Sequence, residues 1–244
     1  LHMCKGDSVR CESGLDPLPK GWGNTNSEVF IMIGYYSYTV ILTYLSLISS
    51  VTGMFLAAGF NGMPPHPEYA IICLMVSGLC DMFDGKVART KKNRSESEKK
   101  FGIQIDSLCD VVCFGVLPSI MGYSVGMRSW CDLPILLMFP TCAVIRLAYF
   151  NVAEEERQKK TSETRKTYEG LPVTSVALIL PLLYSFHRDI GEHFPAVYGG
   201  ALFLIALAFI TRFKVKKPSM KTMLIFVGVG ALELVWMLYK TKTR

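Results

Sequence analysis

The sequence predicts an all-α integral membrane protein built as a bundle of six core transmembrane helices, with a seventh helix at the C-terminus left open. Half of the 244 residues are hydrophobic, and the mean hydropathy is +0.31. The apolar residues gather in blocks of roughly 20, the length that a helix needs to cross the hydrocarbon core. Segments rich in Lys and Arg alternate with connections that are almost free of them, as expected for a multi-pass protein.

Seven blocks carry this prediction in chain order. The first four are long and continuous, whereas Pro172 and Pro181 interrupt the short fifth block. The last block contains Glu233, and a span there would place the C-terminal basic residues on the side opposite to the other basic segments. Six spans are therefore the expectation. The blocks cover residues 38–60, 68–89, 103–127, 131–152, 172–187, 194–212 and 221–239.

The blocks also suggest how the chain is divided. Residues 1–30 are polar and rich in Gly, Ser and Pro, and they lack a basic start followed by an apolar core. We expect them to form a flexible or interfacial tail rather than a signal peptide. Residues 31–213 are expected to form the transmembrane domain, and residues 214–244 a basic loop followed by the C-terminal apolar helix.

Charge predicts the orientation. The basic segments 90–101, 153–171 and 212–221 belong on the cytoplasmic side of the cell membrane by the positive-inside rule. The net charge of +6 suits an anionic membrane surface, and no nucleic-acid partner is expected. The eight cysteines form no C-x-x-C pair and mostly lie in or beside apolar blocks, where we interpret them as small hydrophobic residues.

The second block ends in an unusual polar face. With about 100° between successive helical residues, five residues share one face about 140° wide. Its two small residues leave a groove between the two carboxylates and the arginine, wide enough for a flat group to approach the helix backbone. The five residues are Asp81, Asp84, Gly85, Ala88 and Arg89.

The third block places Asp106 and Asp110 on one helical face. Because the second and third helices are consecutive and antiparallel, all four aspartates should meet just inside the cytoplasmic face. Four clustered carboxylates repel one another and remain ionised together only if cations neutralise them. Oxygen ligands suit Mg²⁺ or Mn²⁺, and a pair of such ions suits phosphoryl chemistry.

These residues resemble a known family. Asp81-x2-Asp84-Gly85-x2-Ala88-Arg89, followed after twelve residues by Gly102-x3-Asp106-x3-Asp110, is similar to the signature of the CDP-alcohol phosphotransferases. The twelve-residue spacer is longer than expected for the family. The resemblance covers roughly residues 38–221.

Within the family, the chain most resembles the phosphatidylserine synthases. The stretch "FGIQIDSLCDVVCFGVLPS" is similar to their third helix, and "YEGLPVTS" and "KKPSMK" also have counterparts. The segment "IRLAYFNV" resembles their Arg-Leu-Ala-Arg-Phe-Asn, with Tyr149 in place of the second arginine. The resemblance implies transfer of the phosphatidyl group from CDP-diacylglycerol to the hydroxyl of L-serine, with release of CMP, by a homodimer among membrane lipids.

The resemblance also implies roles for the signature residues. Asp81, Asp84, Asp106 and Asp110 would hold two divalent cations that bridge the diphosphate, and Asp110 would also be the general base. The remaining signature positions would bind the CDP moiety. Gly102 would let the loop pass close to the nucleotide, or it could instead be a plain break at a helix N-terminus. These positions are Gly85, Ala88, Arg89 and Gly102.

The acceptor pocket is predicted from polar residues in the membrane. Arg146 lies in the middle of an apolar block, and an arginine at such a depth is a candidate functional residue. We expect it to bind the serine carboxylate or a lipid phosphate, with Asn151, Gln104 and Ser107 as further candidates.

Two other functions remain open. A transferase of the same family could use glycerol 3-phosphate or inositol phosphate, although Tyr149 in place of arginine argues against a phosphorylated acceptor. A cation transporter could use the acidic cluster, but the aspartates are expected near one membrane face and the sequence shows no paired broken helices.

Overall fold

The computed structural model describes residues 34, 37–91, 93–160, 167–216, 225 and 227–236, and the structural statements below concern these residues. The tail predicted for residues 1–30 lies outside this range. The described chain is dominated by helices. They are α1 (Ile41–Ala58), α2 (Pro67–Thr90), α3 (Glu96–Asp110), α4 (Leu117–Ser124), α5 (Leu133–Lys160), α6 (Val176–Tyr184), α7 (His187–Ile190), α8 (Phe194–Ile210) and α9 (Val227–Trp236).

Short irregular helices extend several of these elements. A π-helical segment, Val111–Val116, joins α3 to α4, so that one continuous helix runs from Glu96 to Ser124. Turns of 3-10 helix precede α1 (Tyr38–Val40), α6 (Val173–Ser175) and α8 (Gly191–His193). Two three-residue strands, β1 (Thr167–Glu169) and β2 (Lys214–Lys216), form an antiparallel ladder.

The prediction of an all-α membrane protein is confirmed. Within the described parts of the chain, four helices are long and apolar enough to cross a membrane: Tyr38–Ala58, Glu96–Ser124, Leu133–Arg157 and His187–Ile210. With 24 residues, α2 is also long enough, but its last third is charged. The helical segment Val173–Tyr184 is shorter, and the described part of α9 has ten residues. The number of membrane spans, six or seven, therefore remains a prediction.

The third helix begins earlier than its apolar block. The Ser95 side chain caps it by accepting a hydrogen bond from the Glu98 backbone amide at 3.1 Å. Glu96 and Glu98 then place negative charge in the first turn, where it favours the helix dipole. As a result Gly102 lies inside α3, so its expected place in the loop and its alternative place as a break at the helix N-terminus are both wrong.

Small residues let the helices approach closely. Gly53 of α1 packs against Cys73 of α2, and a Cβ atom at Gly78 would overlap the Cβ of Ala177 in α6. Hydroxyl groups also join α1 to α2, because Ser50 Oγ and Ser77 Oγ are 2.8 Å apart. The six described cysteines are free, as their interpretation as small hydrophobic residues requires.

The ends of α2, α5 and α8 and the start of α3 lie at one end of the bundle. There the β-ladder joins the chain after α5 to the chain after α8. The Gly170 amide extends this connection by donating to the Phe213 carbonyl at 2.7 Å. Asn151, near the end of α5, also bonds to Ser107 of α3, so the described residues of the three basic segments lie at one end, which we call the basic end.

Candidate functional site

Four aspartates converge between α2 and α3. Carboxylate oxygens of Asp81, Asp84 and Asp106 all lie within 4.8 Å of one another. Asp110 lines the same cavity as Asp81, which places the fourth carboxyl group beside these three. The spacing of three residues on α2 and four on α3 turns both pairs towards the same interface.

The cluster has the properties of a cation site. Asp84 and Asp110 are buried, and one carboxylate oxygen of Asp106, Oδ1, is buried without a hydrogen-bond partner. An unpaired buried carboxylate oxygen is costly unless a proton or cation satisfies it. The donors are all oxygens, the ligands that hard divalent cations prefer. The residues therefore fit a divalent metal ion.

Residue Thr43 of α1 supports this cluster from the side. Its hydroxyl donates a hydrogen bond of 3.2 Å to Oδ2 of Asp84, and both residues are buried. This hydroxyl fixes one face of the carboxylate and leaves the other face for the cluster. Sequence reasoning missed Thr43, because nothing in an apolar block shows which of its hydroxyls faces another helix.

A cavity of about 230 Å³ opens beside Asp81 and Asp110. It begins where α3 passes into the π-helical segment Val111–Val116, a distortion that is frequent at functional sites. Helix α5 and the turn before α6 supply the rest of the wall. The lining residues are Asp81, Asp110, Arg146, Leu147, Phe150, Pro172, Val173 and Thr174.

Arg146 brings positive charge to this cavity. The residue is only 6% exposed, and its Nε donates to the Leu171 carbonyl at 3.3 Å. Its guanidinium carbon lies 5.3 Å from the centre of the Phe150 ring. A buried arginine and two carboxylates thus face the same small space, which can receive a ligand that carries both charges.

The glycines and Ala88 lie towards the basic end. Gly85 is exposed, and its carbonyl accepts a hydrogen bond of 2.8 Å from Nε of the exposed Arg89. Gly102 faces the Arg94 side chain, since a Cβ atom at Gly102 would lie 2.7 Å from Arg94 Nη2. Arg94, from the spacer between the two halves of the signature, is a further residue that the sequence did not single out.

The structure places the three weaker candidates for the acceptor pocket in two different positions. Asn151 Nδ2 donates to Ser107 Oγ at 2.8 Å, which joins α5 to α3. Gln104 is exposed on α3 and, two residues before Asp106, points to the opposite side of that helix. The structure therefore does not bring Gln104 into the aspartate cluster, and neither Asn151 nor Ser107 lines the cavity.

Tyr149, which stands where similar sequences have an arginine, lies beside another arginine. The Arg212 guanidinium carbon lies 5.2 Å from the centre of the Tyr149 ring. Although Tyr149 replaces an arginine of similar sequences, Arg212 thus supplies a guanidinium to the same part of α5. This weakens the argument from Tyr149 against a phosphorylated acceptor.

Comparisons with known proteins show the family to which the chain belongs. A family model described as CDP-alcohol phosphatidyltransferase matches residues 38–212, which include all four aspartates and Arg146. A CDP-diacylglycerol–serine O-phosphatidyltransferase of Saccharomyces cerevisiae is 32% identical over 60% of this chain and 54% of its own length. Proteins of the same name from Mycobacterium leprae and Helicobacter pylori are 31% and 30% identical, over 59% and 60% of this chain and 48% and 56% of their own lengths. The chain thus spans about half the length of these curated relatives.

Proposed function

Because the chain belongs to the CDP-alcohol phosphatidyltransferase family, we propose that it transfers the phosphatidyl group of CDP-diacylglycerol to L-serine. The products would be phosphatidylserine and CMP. The observation that carries this proposal is the cavity in which Asp81, Asp110 and Arg146 meet. The names of the relatives, all serine transferases, give the same acceptor.

The cavity suits a small zwitterionic acceptor. Its volume of about 230 Å³ is below the range of roughly 300–1,000 Å³ of pockets for drug-sized ligands. Arg146 can bind a carboxylate through charge-assisted hydrogen bonds, and the aspartates can attract an ammonium group. Leu147, Phe150 and Val173 would keep water away from the acceptor.

Asp81, Asp84, Asp106 and Asp110 would hold two divalent cations, Mg²⁺ or Mn²⁺. Such cations, when bound, neutralise the diphosphate and the charge that develops on the departing CMP. The chain's own part is to fix the carboxylates. Thr43 does so for Asp84 through its 3.2 Å hydrogen bond.

Asp110 is the proposed general base. It lines the cavity, is buried, and lies outside the group of three carboxylates whose oxygens are all within 4.8 Å. In the proposed step the serine oxygen bonds to the phosphorus attached to diacylglycerol, and the bond from that phosphorus to CMP breaks. Asp110 takes the hydroxyl proton as the oxygen attacks.

Gly85, Ala88, Arg89 and Gly102 are proposed to contact the CDP moiety. The three small residues leave space in the groove between α2 and α3, and the Arg94 side chain occupies the part of it over Gly102. The exposed Arg89, now bonded to the Gly85 carbonyl, has further donors that could turn to a phosphate. Asn151 and Ser107, which are hydrogen-bonded to each other between α5 and α3, are retained as weaker candidates for acceptor contacts. Gln104, on the opposite side of α3 from Asp106, is not retained for this role.

A phosphorylated acceptor is the second candidate. A phosphate needs positive charge beyond that of Arg146, and Arg212 beside Tyr149 is the guanidinium to test, although neither residue lines the cavity. Glycerol 3-phosphate and inositol phosphate are the compounds to test.

We also propose how the chain is divided into domains and how the protein is placed in the membrane. The transferase domain would comprise residues 31–213, followed by the basic loop and apolar helix of residues 214–244. The protein would work as a homodimer in the cell membrane, with the basic end in the cytoplasm.

The test is release of CMP from CDP-diacylglycerol by the purified protein in detergent. Serine, glycerol 3-phosphate, inositol phosphate and no acceptor are compared, each with Mg²⁺, Mn²⁺ or a chelator. Release that requires both serine and metal is the expected result. Release only with a phosphorylated acceptor would support the second candidate, and no metal-dependent release with any acceptor would contradict the transferase function.

A further inference from the structure

We propose that Arg94 reads the base of the bound nucleotide and makes the site prefer cytosine to uracil. This inference rests on the proposed function, because it takes the groove between α2 and α3 as the nucleotide site. Arg94 is not a signature residue. It lies in the twelve-residue spacer between Arg89 and Gly102.

The position of the guanidinium is the first argument. Nη1 of Arg94 lies 3.4 Å from the Ala88 carbonyl, and Nη2 lies over Gly102, 2.7 Å from where a Cβ atom would stand. A larger residue at position 102 would displace this group. Gly102 is inside a regular helix, so its lack of a side chain provides space for the Arg94 guanidinium rather than freedom for the backbone.

The distance from the aspartates is the second argument. Ala88 follows Asp84 by four residues, and Gly102 precedes Asp106 by four. At about 1.5 Å per residue, both lie about 6 Å from the carboxylates along the helix axes, towards the basic end. If the aspartates hold the metal-bound diphosphate, the next part of the nucleotide in this direction is the nucleoside.

The unused hydrogen-bonding capacity of Arg94 is the third argument. Its Nε is buried without a hydrogen-bond partner, and the contacts of Nη1 with Ala88 and of Nη2 with the Glu98 carbonyl are long, at 3.4 and 3.5 Å. An unsatisfied buried donor is costly, and a ligand with acceptor atoms would remove that cost.

The chemistry of the two pyrimidines then gives the specificity. Cytosine presents two adjacent acceptors, O2 and N3, which match the parallel N–H groups of a guanidinium. Uracil carries a hydrogen on N3, so one of these two bonds is replaced by a repulsive contact between donors. Where nucleic-acid bases are read, paired hydrogen bonds from an arginine favour the matching base by about tenfold or more.

The experiment measures binding of CMP and UMP to the purified protein in detergent with Mn²⁺, by calorimetry. Wild type, Arg94→Ala and Arg94→Lys are compared. The matched control is Arg128→Ala, since Arg128 is an exposed arginine outside the groove, with its guanidinium carbon 5.1 Å from the centre of the Tyr123 ring. Binding does not require turnover, so the result is independent of the acceptor.

We expect Arg94→Ala to weaken CMP binding about tenfold and UMP binding less than twofold, in line with the loss of one paired contact. Arg94→Lys keeps the charge without the planar fork and should also lose the preference for CMP. Arg128→Ala should behave as wild type.

A ratio of CMP to UMP affinity that is unchanged in Arg94→Ala would overturn the inference, as would a preference retained by Arg94→Lys. If Arg94 only holds the loop, Arg94→Ala would lower the melting temperature and weaken the binding of CMP and UMP equally. That result would also overturn the inference. If wild type binds CMP selectively but releases none from CDP-diacylglycerol, the transferase function fails while the role of Arg94 stands.

Discussion

Arg146 and Leu171 are joined by a hydrogen bond from the buried Nε to the main-chain carbonyl, at 3.3 Å. The Leu171 amide in turn donates to the Ala208 carbonyl in the last turns of α8, at 3.2 Å. The preceding residue, Gly170, donates to Phe213 just before β2. The orientation of the arginine in the cavity therefore depends on how the turn before α6 is attached to the end of α8.

Replacing Arg146 should affect the acceptor more than the nucleotide. We expect Arg146→Gln to raise KM for serine at least tenfold, because a charge-assisted hydrogen bond contributes about 1.5–3 kcal/mol. CMP binding should change little. Steady-state kinetics over a range of serine concentrations, with Arg128→Gln as control, checks this. An unchanged KM would remove Arg146 from the acceptor site.

Gly170 is predicted to position Arg146 from a distance. Its φ is +74°, and a Cβ atom there would lie 3.1 Å from the Thr211 carbonyl oxygen. We expect Gly170→Ala to destabilise the protein by about 1–2 kcal/mol and to raise KM for serine, since the turn carrying Leu171 must shift. Thermal unfolding and serine kinetics measure the two effects.

Gly191 provides the matched control for this substitution. Its φ is also positive, +61°, but a Cβ atom there would meet nothing within 4 Å. Gly191→Ala should therefore lower stability through backbone strain but leave KM for serine unchanged. Equal kinetic effects of the two substitutions would mean that Gly170 acts only through stability.

Thr43 should tune the metal site through Asp84. Thr43→Val keeps the shape but removes the hydroxyl that donates to the carboxylate, so we expect metal affinity to fall by about tenfold or more, as for other partners of metal ligands. Thr52→Val is the control on the same helix, because its exposed hydroxyl bonds only to its own helix, at Ile48. Titration of activity and of melting temperature with Mn²⁺ checks this, and equal metal dependence in both variants would contradict it.

The fold and the aspartate cluster were predictable because they follow from periodicity. Apolar blocks of membrane length gave the helices, and spacings of three and four residues placed the carboxylates on facing surfaces. Thr43, Arg94 and the Leu171 carbonyl were not predictable in this way. Each enters the site from a segment whose side-chain or main-chain direction depends on tertiary packing, and a main-chain carbonyl has no signature in the sequence at all.

Repulsion among the aspartates should make the melting temperature depend on divalent cations. Without divalent cations the cluster destabilises the fold, since neighbouring carboxylates repel and Asp106 Oδ1 is buried without a partner. Asp106→Asn removes one charge and should melt at the same temperature as wild type or higher when a chelator is present. With Mg²⁺ or Mn²⁺ the order should reverse, because wild type gains binding free energy that the variant largely loses; at 100 times Kd this gain is about 2.7 kcal/mol.

Thermal unfolding of both proteins with chelator and with millimolar metal measures this reversal. Glu192→Gln, which removes an exposed acid outside the cluster, should follow wild type in both conditions. An equal metal-dependent rise in Asp106→Asn and wild type would show that Asp106 does not hold the cation. A lower melting temperature of Asp106→Asn in chelator would show instead that this carboxylate stabilises the fold, and the repulsion on which the metal site is argued would then be absent.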